Sequence, residues 1–260
     1  MYSKSSIWGL MAFLLTVAPQ CLCAQSQSVP LKGATRVEIY LERASLEIEG
    51  HSGQDIQVEA KGYRPPPERA KGLRPLYNQA VDNTGMGLMV ENSNGTVTIR
   101  KASSHQLGIK LKLPQNLAVQ VEETSWMGGG TYKVLGYKGE LEIKSNGSPI
   151  HLEQVTGPVM ASSTSGSIDV IFSSINTLKP SAISNVSGRV DVSIDKGTKA
   201  TFHLNTITGE IYTDLDLDFG DRKDGMKVIG RRTSKGLLNG GGVELTINSI
   251  SSPIYIRKSE

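Results

Sequence analysis

Apolar and polar residues alternate in short stretches along most of the chain, beginning at Val37, Ile39 and Leu41 and continuing through Val119 and Val121. Alternation with a period of two places every second side chain on the same face of an extended strand, so the pattern predicts strands with one buried face. Between the stretches lie HSGQD, NSNG, MGGG and SNGS, which favour turns because Gly and Asn tolerate positive φ. Spacing typical of helices is scarce, and the sequence therefore predicts an all-β protein with almost no helix.

A nine-residue repeat occupies the middle of the chain, and a glycine precedes each return of an apolar residue. Two nine-residue arms make a coil of about 18 residues, near the range of repeat units that stack into solenoids. Three corner texts recur further along: STSGSIDV, NVSGRVDV and TITGEIYT. The glycines of the repeat are Gly139, Gly147, Gly157 and Gly166, the apolar residues that follow them are Leu141, Ile150, Val159 and Ile168, and the later glycines are Gly188 and Gly209.

Stacking of coils explains why such a repeat needs glycine and branched aliphatic residues. One coil cannot bury its apolar row alone, but coils stacked at the strand spacing pair every backbone group with a neighbour. The corners must be narrow, which favours glycine, and hydroxyl groups there can satisfy backbone atoms. We therefore predict a β-solenoid, a stack of short strands like a single-stranded β-helix. The predicted inward column is Ile150, Ile168, Val190 and Ile211, and the predicted corner hydroxyls belong to Ser165, Ser187 and Thr208.

The first 24 residues have the three-part layout of a secretory signal peptide: one lysine, an apolar run over 7–18, and small residues before a cleavage site after Ala24. The alternative, an uncleaved anchor, is disfavoured because the run is short for a bilayer span. Cleavage removes Cys21 and Cys23, so the remaining single domain, residues 25–260, must be stable without disulfides. No second long apolar run follows, which predicts no membrane span in this domain.

Composition and motifs exclude several classes of function. Lysine and arginine number 28 against 25 aspartates and glutamates, and the net charge of +3 argues against nucleic-acid binding. The histidines are scattered, which gives no spacing for zinc, and the triple glycines lack the Gly-Lys-Ser/Thr ending of a phosphate-binding loop. No serine lies in a G-x-S-x-G context. The sequence thus predicts neither catalytic residues nor a cofactor.

The corner texts and three other segments together resemble the putative-adhesin family of bacterial β-strand-repeat envelope proteins. The segments are LERASLEIEGHSGQDIQVEAKG at 41–62, KLKLPQNLAVQVEE at 110–123 and GGVELTINSISSPIYIRKSE at 241–260. The resemblance covers nearly all of the chain after residue 24 and implies an exported, solenoid-like protein with no catalytic residues to carry over. The chain departs from the family pattern in a Pro-rich excursion at 64–80, and in Ser252-Pro253 where the last corner usually carries Asn-Gly or a similar pair.

If the corner glycines stack, two carboxylates align on the outer face of neighbouring strands. Carboxylates one strand apart, about 5 Å, suit the pair of a retaining glycosidase or a shared Ca²⁺, which makes Asp169 and Asp191 the candidate metal ligands. The alternative is a solvated strand face in which Arg189 offsets the acidic repulsion and pairs with Glu210. The predicted outward rows are Asp169, Asp191 and Tyr212, and beside them Ser167, Arg189 and Glu210.

The Pro-rich excursion, at about 61–80, is also basic. A basic loop on a rigid scaffold suits contact with an anionic surface polymer or with lipid head groups. The alternative is a solvated loop that covers one end or edge of the stack. The candidate ligand-binding residues are Arg64, Arg69, Lys71 and Arg74.

These features predict a non-catalytic, exported envelope protein that acts as a binding or adhesion module, located in the periplasm, the outer envelope or outside the cell. Its partner would be an envelope or extracellular ligand such as a glycan or surface polymer. The alternative is a carbohydrate-active enzyme, a glycan hydrolase or lyase, that uses an outer strand face. An outer-membrane β-barrel is disfavoured because predicted outward residues such as Glu142 and His151 are polar and aromatics form only 5% of the chain.

Overall fold

The computed structural model describes residues 25–70, 72–73, 76, 80–126, 128–219 and 232–259, so the predicted signal peptide lies outside it. The described residues contain 20 strands and one 3-10 turn, and the prediction of an all-β protein with almost no helix is confirmed. Within these ranges no helix has the length and apolarity to cross a membrane. The elements are β1 (Gln25–Pro30), β2 (Arg36–Leu41), β3 (Ala44–His51), β4 (Asp55–Lys61), the 3-10 turn (Glu68–Ala70), β5 (Leu88–Ser93), β6 (Thr96–Lys101), β7 (Leu107–Pro114), β8 (Ala118–Glu123), β9 (Tyr132–Leu135), β10 (Leu141–Ser145), β11 (Ile150–Val155), β12 (Val159–Ser163), β13 (Ile168–Phe172), β14 (Ser181–Asn185), β15 (Val190–Ile194), β16 (Ala200–Thr206), β17 (Ile211–Thr213), β18 (Arg232–Leu238), β19 (Val243–Ser249) and β20 (Ile254–Lys258).

The strands form two ten-stranded sheets. Sheet A has the order β1-β4-β7-β3-β9-β11-β13-β15-β20-β17, and sheet B has the order β5-β6-β2-β8-β10-β12-β14-β19-β16-β18. From β6 to β17, successive strands alternate between the two sheets. We call a sheet B strand and the sheet A strand that follows it a coil. Read across both sheets, the coils follow one another as β6–β7, β2–β3, β8–β9, β10–β11, β12–β13, β14–β15, β19–β20 and β16–β17.

Neighbouring coils pair in parallel and keep their apolar residues in phase. Leu141 lies opposite Val159, and Ile150 opposite Ile168, each 18 residues further along the chain. This offset equals the coil length predicted from two nine-residue arms. Ile168 in turn pairs with Val190, and Ile150, Ile168 and Val190 are completely buried. Apolar residues of the same phase therefore meet in one inward column between the sheets, where each buried aliphatic side chain contributes about 1.5–3 kcal/mol.

Two coils are inserted between others out of chain order. Coil β2–β3 lies between β6–β7 and β8–β9, and coil β19–β20 lies between β14–β15 and β16–β17. The second insertion corrects the predicted column, because Ile254 stands between Val190 and Ile211. Ile211 shares the column but is only partly buried, since β17 is the last strand of sheet A.

Antiparallel strands occupy three of the four sheet edges. Strands β1 and β4 pair antiparallel beside β7, β5 pairs antiparallel with β6, and β18 pairs antiparallel with β16. The parallel pairing of successive coils therefore ends before each of these three edges. Sheet A ends at its other side with β17, a strand of only three residues.

The corners that lead from sheet B to sheet A carry the predicted hydroxyl ladder. The hydroxyls of Ser165, Ser187 and Thr208 donate to backbone carbonyl oxygens of the neighbouring corner at 3.0, 3.0 and 3.2 Å. The prediction for these residues is confirmed. Each of these carbonyl oxygens also accepts the backbone N–H of the same residue, so the hydroxyl adds a second hydrogen bond between neighbouring corners.

A second, buried polar row supports the same corners and was not predicted. Its side chains lie at the end of the sheet B strand, three residues before the corner glycine, and accept a hydrogen bond from that glycine's N–H at 2.9–3.0 Å. Glu123 occupies the same row at the end of β8, where it lies opposite Leu41 of β2. The three pairs are Ser163 with Gly166, Asn185 with Gly188, and Thr206 with Gly209.

Lys101, at the end of β6, is a buried lysine. It is 3% exposed, and its Nζ has no hydrogen-bond partner in the described part of the chain. Burial lowers the pKa of its amine, an effect that nearby Glu42 opposes. Because an unpaired buried amine costs stability, we expect Lys101→Met to raise the free energy of unfolding by about 1–3 kcal/mol, measured by urea denaturation. Lys112→Met, the same change on the outward face of β7, should change it by less than about 0.5 kcal/mol, and an equal rise in both variants would contradict the assignment.

Candidate functional site

Tyr63 fixes the root of the 61–80 excursion, which leaves the sheets between β4 and β5. Its ring lies against the backbone of Gly87, where an added Cβ would be 2.7 Å from Tyr63 Cδ2. Its hydroxyl bonds to Asp82, and burial together with this carboxylate raises the pKa of the phenol. The excursion therefore starts from a fixed point on the segment that leads into β5.

Asp82 organises that segment into a rigid turn. Its Oδ1 accepts hydrogen bonds from the N–H groups of Thr84 and Gly85 at 3.0 and 2.9 Å, and its Oδ2 accepts one from Gly87 at 2.9 Å. Burial raises the pKa of Asp82, but these hydrogen bonds and those of Tyr63 lower it by more, so the pKa lies below its usual range. The ionised carboxylate thus holds the turn on which Tyr63 rests.

A groove of about 700 Å³ lies between the excursion and the segment that joins β6 to β7. Tyr63, Arg64 and the prolines at 65–67 line one side, and residues 102–105 line the other. Tyr63, Arg64 and His105 also line an adjoining hollow of about 420 Å³. These three side chains therefore lie where the two depressions meet.

The structure places one predicted cation in this groove. Arg64 lines it and is exposed, and Arg69 is exposed in the 3-10 turn, whose Ala70 also lines it. Lys71 and Arg74 lie outside the described residues. Sequence reasoning missed Tyr63 and His105, since neither belongs to a motif.

The chemistry of the groove suits binding more than catalysis. The guanidinium of Arg64 can form two parallel hydrogen bonds with a phosphate or carboxylate, and the hydroxyls of Ser103 and Ser104 add donors. The prolines form a stiff apolar wall, which reduces the entropy lost when a ligand binds. Across the described ranges no group of three His, Cys, Asp or Glu side chains is arranged to hold a metal ion.

The second predicted site, on the outward face of sheet A, is a row of paired charges. Asp169 and Asp191 are register partners on β13 and β15, as the phase of the corner glycines predicts. Arg189 Nη2 donates to both carboxylate oxygens of Asp169 at 3.0 and 3.1 Å, and Arg257 Nε donates to both of Asp191 at 2.9 and 3.1 Å. His151 Nδ1 lies 2.9 Å from Asp169. Each carboxylate thus has its own cation.

Two predicted neighbours in these rows are corrected by the insertion of β20. Tyr212 pairs with Tyr255 and not with Asp191, and the adjacency of Arg189 to Glu210 is wrong because β20 runs between β15 and β17. A retaining glycosidase needs one carboxyl group that donates a proton, whereas both aspartates accept hydrogen bonds from arginines. The arrangement is that of a solvated strand face, and a metal role for Asp169 and Asp191 stays a prediction.

Comparison with known proteins gives matches among solved structures alone. No family model matches the sequence, and no curated protein matches it. A putative cell adhesion protein from Clostridium sporogenes is 11% identical with a TM-score of 0.47, and the match covers 91% of this chain and 100% of that one. A putative adhesin from Bacteroides fragilis is 10% identical with a TM-score of 0.38, covering 92% and 98%. One from Parabacteroides merdae is 6% identical with a TM-score of 0.32, covering 91% and 96%. These structures bear the description of the family that the sequence pattern resembles.

Proposed function

We propose that residues 25–260 form a single exported β-solenoid that acts as a non-catalytic binding or adhesion module. The solenoid interpretation is supported by the alternation of strands between two sheets and by the parallel register of successive coils. We infer that the ligand site is the groove at the root of the excursion. The observation that carries this inference is the meeting of Tyr63, Arg64 and His105 at one depression beside a stiff proline wall.

The ligand of this groove is an anionic group, on a surface polymer or on a lipid head group. Arg64 and Arg69 are both exposed on the excursion, and Arg64 lines the groove itself. Each cation close to an anionic surface contributes about 1 kcal/mol of binding free energy, which is about a fivefold change in affinity. Asp82 also lines the groove, and its carboxylate oxygens accept hydrogen bonds from the turn that it organises.

Binding of residues 25–260 to heparin and to vesicles distinguishes the two sources of the anion. We expect wild-type protein to bind heparin, or phosphatidylglycerol-containing vesicles in preference to pure phosphatidylcholine vesicles, and Arg64→Ala/Arg69→Ala to weaken that binding by about tenfold or more. Isothermal titration calorimetry and vesicle sedimentation measure the two arms. Incubation of oligosaccharides with the protein tests for catalysis. A binding module leaves them unaltered, whereas a glycan hydrolase or lyase cleaves them.

The matched control removes two positive charges at a site away from the groove. Lys196 and Lys199 are exposed in the turn between β15 and β16, far along the stack from the groove. Lys196→Ala/Lys199→Ala should retain wild-type affinity. Equal loss in both double variants would refute the groove, and so would failure of wild-type protein to bind either anionic probe.

A further inference from the structure

The outward row of sheet A ends in a stacked pair of tyrosines. Asp191 pairs with Tyr255 of β20, and Tyr255 pairs with Tyr212 of β17. The two ring centroids are 5.3 Å apart and the ring planes are inclined by 13°. Tyr212 is 53% exposed on the last strand of sheet A. An aromatic surface therefore stands at the edge of the sheet, in contact with solvent.

Arg257 connects this pair to the charged part of the row. Its guanidinium carbon lies 5.3 Å from the ring centroid of Tyr255, and its Nε donates to both carboxylate oxygens of Asp191. A cation over the face of an aromatic ring is attracted to that ring, and the Asp191 carboxylate bonds to this cation. Tyr255 thus has a fixed neighbour on the Asp191 side of the row, and Tyr212 stacks on a surface already in place.

The repeat shows that folding of a coil does not require an aromatic residue at this position. The four preceding coils in sheet A carry polar or charged side chains in the same outward row, and their strands pair in the same parallel register. The rings appear at this position only in coils β19–β20 and β16–β17 of these six. They are therefore a property of this end of the surface. The polar members of the row are Lys133, His151, Asp169 and Asp191.

We propose that Tyr212 and Tyr255 form a binding site for a neutral carbohydrate. The face of an aromatic ring carries partial negative charge and attracts the weakly positive C–H groups on the flat side of a pyranose ring. The arginines of this surface are paired, Arg257 with Asp191 and Arg189 with Asp169, which favours an uncharged ligand. The tyrosine hydroxyls supply partners for sugar hydroxyl groups.

This site is independent of the groove in the proposed function. The groove adjoins β4 and β7 near one end of sheet A, and Tyr212 belongs to β17 at the other end. A neutral sugar held by ring stacking also differs in chemistry from an anion held by arginine. Loss of one site therefore leaves the other measurable.

Saturation-transfer difference NMR with cellohexaose, chitohexaose and maltohexaose tests the proposal. We expect transfer to the C–H protons of at least one sugar, and a loss of affinity of about fivefold or more in Tyr212→Ala. Tyr212→Phe keeps the ring and should bind within about twofold of wild type. Thermal melting of each variant confirms that the protein remains folded.

Tyr40→Ala is the matched control. Tyr40 lies on the outward face of sheet B, where the guanidinium carbon of Arg100 is 4.0 Å from its ring centroid, so its removal should leave the sugar signal unchanged. The proposal is overturned if none of the three sugars receives transfer, if Tyr212→Ala binds as wild type does, or if Tyr40→Ala loses as much. If Arg64→Ala/Arg69→Ala lost the transfer signal and Tyr212→Ala kept it, the sugar would bind in the groove. That result would also overturn the proposal.

Discussion

Gly188→Ala is expected to lower the free energy of unfolding by about 3 kcal/mol or more, and to prevent folding if the stability of the wild type is below that value. A Cβ at Gly188 would overlap the carbonyl oxygen of Gly166 in the neighbouring corner and lie 2.6 Å from its carbonyl carbon. Both atoms belong to backbone, and the side-chain amide of Asn185, which would lie 3.0 Å away, is itself bonded to that carbonyl. The corner can therefore accept a methyl group only if two coils move apart. Urea denaturation followed by far-UV circular dichroism measures the change.

Gly108→Ala is the control for this substitution. Gly108 lies in β7, and an added Cβ would meet no atom nearer than Lys61 Cβ at 3.9 Å. Its backbone φ is not in the left-handed region, so alanine fits, and a small gain in stability from the reduced entropy of the unfolded chain is expected. A Gly188→Ala protein as stable as Gly108→Ala would show that the corners do not pack against each other as described.

The strands and corners were predictable because each depends on a few neighbouring residues. Alternation fixes which side chains point inward, and a corner glycine fixes the phase of the strand that follows, which is why Asp169 and Asp191 could be paired from the sequence. The order of the coils was not predictable in the same way. The strands that begin at Ile211 and Ile254 have the same local pattern, and by that pattern either could pair with the strand that begins at Val190. Which one pairs there depends on chain connections and packing across the whole stack.

The candidate site was predicted in part for a related reason. Composition alone singled out the basic, Pro-rich excursion and with it Arg64. The groove also requires Tyr63 and His105, which are far apart in sequence and come together because Lys61 pairs with Gly108 where β4 meets β7. Antiparallel pairing of this kind has no counterpart in the repeat, so nothing in the glycine spacing indicates it.

The second large effect is expected at Glu123, whose substitution by glutamine should lower the free energy of unfolding by about 3 kcal/mol at neutral pH. Glu123 is 4% exposed, and its Oε2 accepts hydrogen bonds from the N–H groups of Asn146, Gly147 and Ser148 at 2.7, 3.0 and 3.2 Å. The hydroxyls of Ser145 and Ser148 donate to the carboxylate at 2.8 and 2.6 Å. Glutamine is uncharged and has one acceptor oxygen, so it loses the charge-assisted hydrogen bonds, and its amide N–H can bond to Ser148 Oγ only if that hydroxyl turns to accept.

The same contacts give the stability a defined dependence on pH. Burial raises the pKa of Glu123, but the hydrogen bonds from Ser148, Gly147, Ser145 and Asn146 lower it by more, so the folded-state pKa lies below the ordinary value of 4.5. A carboxyl group whose pKa is depressed by folding stabilises the folded state above its unfolded pKa, and this stabilisation is lost as the pH falls through the folded pKa. The difference in stability between wild type and Glu123→Gln should therefore be constant above about pH 5 and shrink below about pH 4.5.

Glu122→Gln supplies the comparison, because Glu122 is the adjacent residue and lies on the outward face of β8. The stability of Glu122→Gln should remain within about 0.5 kcal/mol of wild type at neutral pH, since a partly solvated carboxylate on the outward face loses little when it becomes an amide. Urea denaturation of the three proteins at several pH values between about 3 and 7 provides the test. If Glu123→Gln were no less stable than Glu122→Gln at neutral pH, the carboxylate would not be holding the corner at 145–148. If the stability difference between wild type and Glu123→Gln grew as the pH fell, folding would raise the pKa of Glu123 and not lower it.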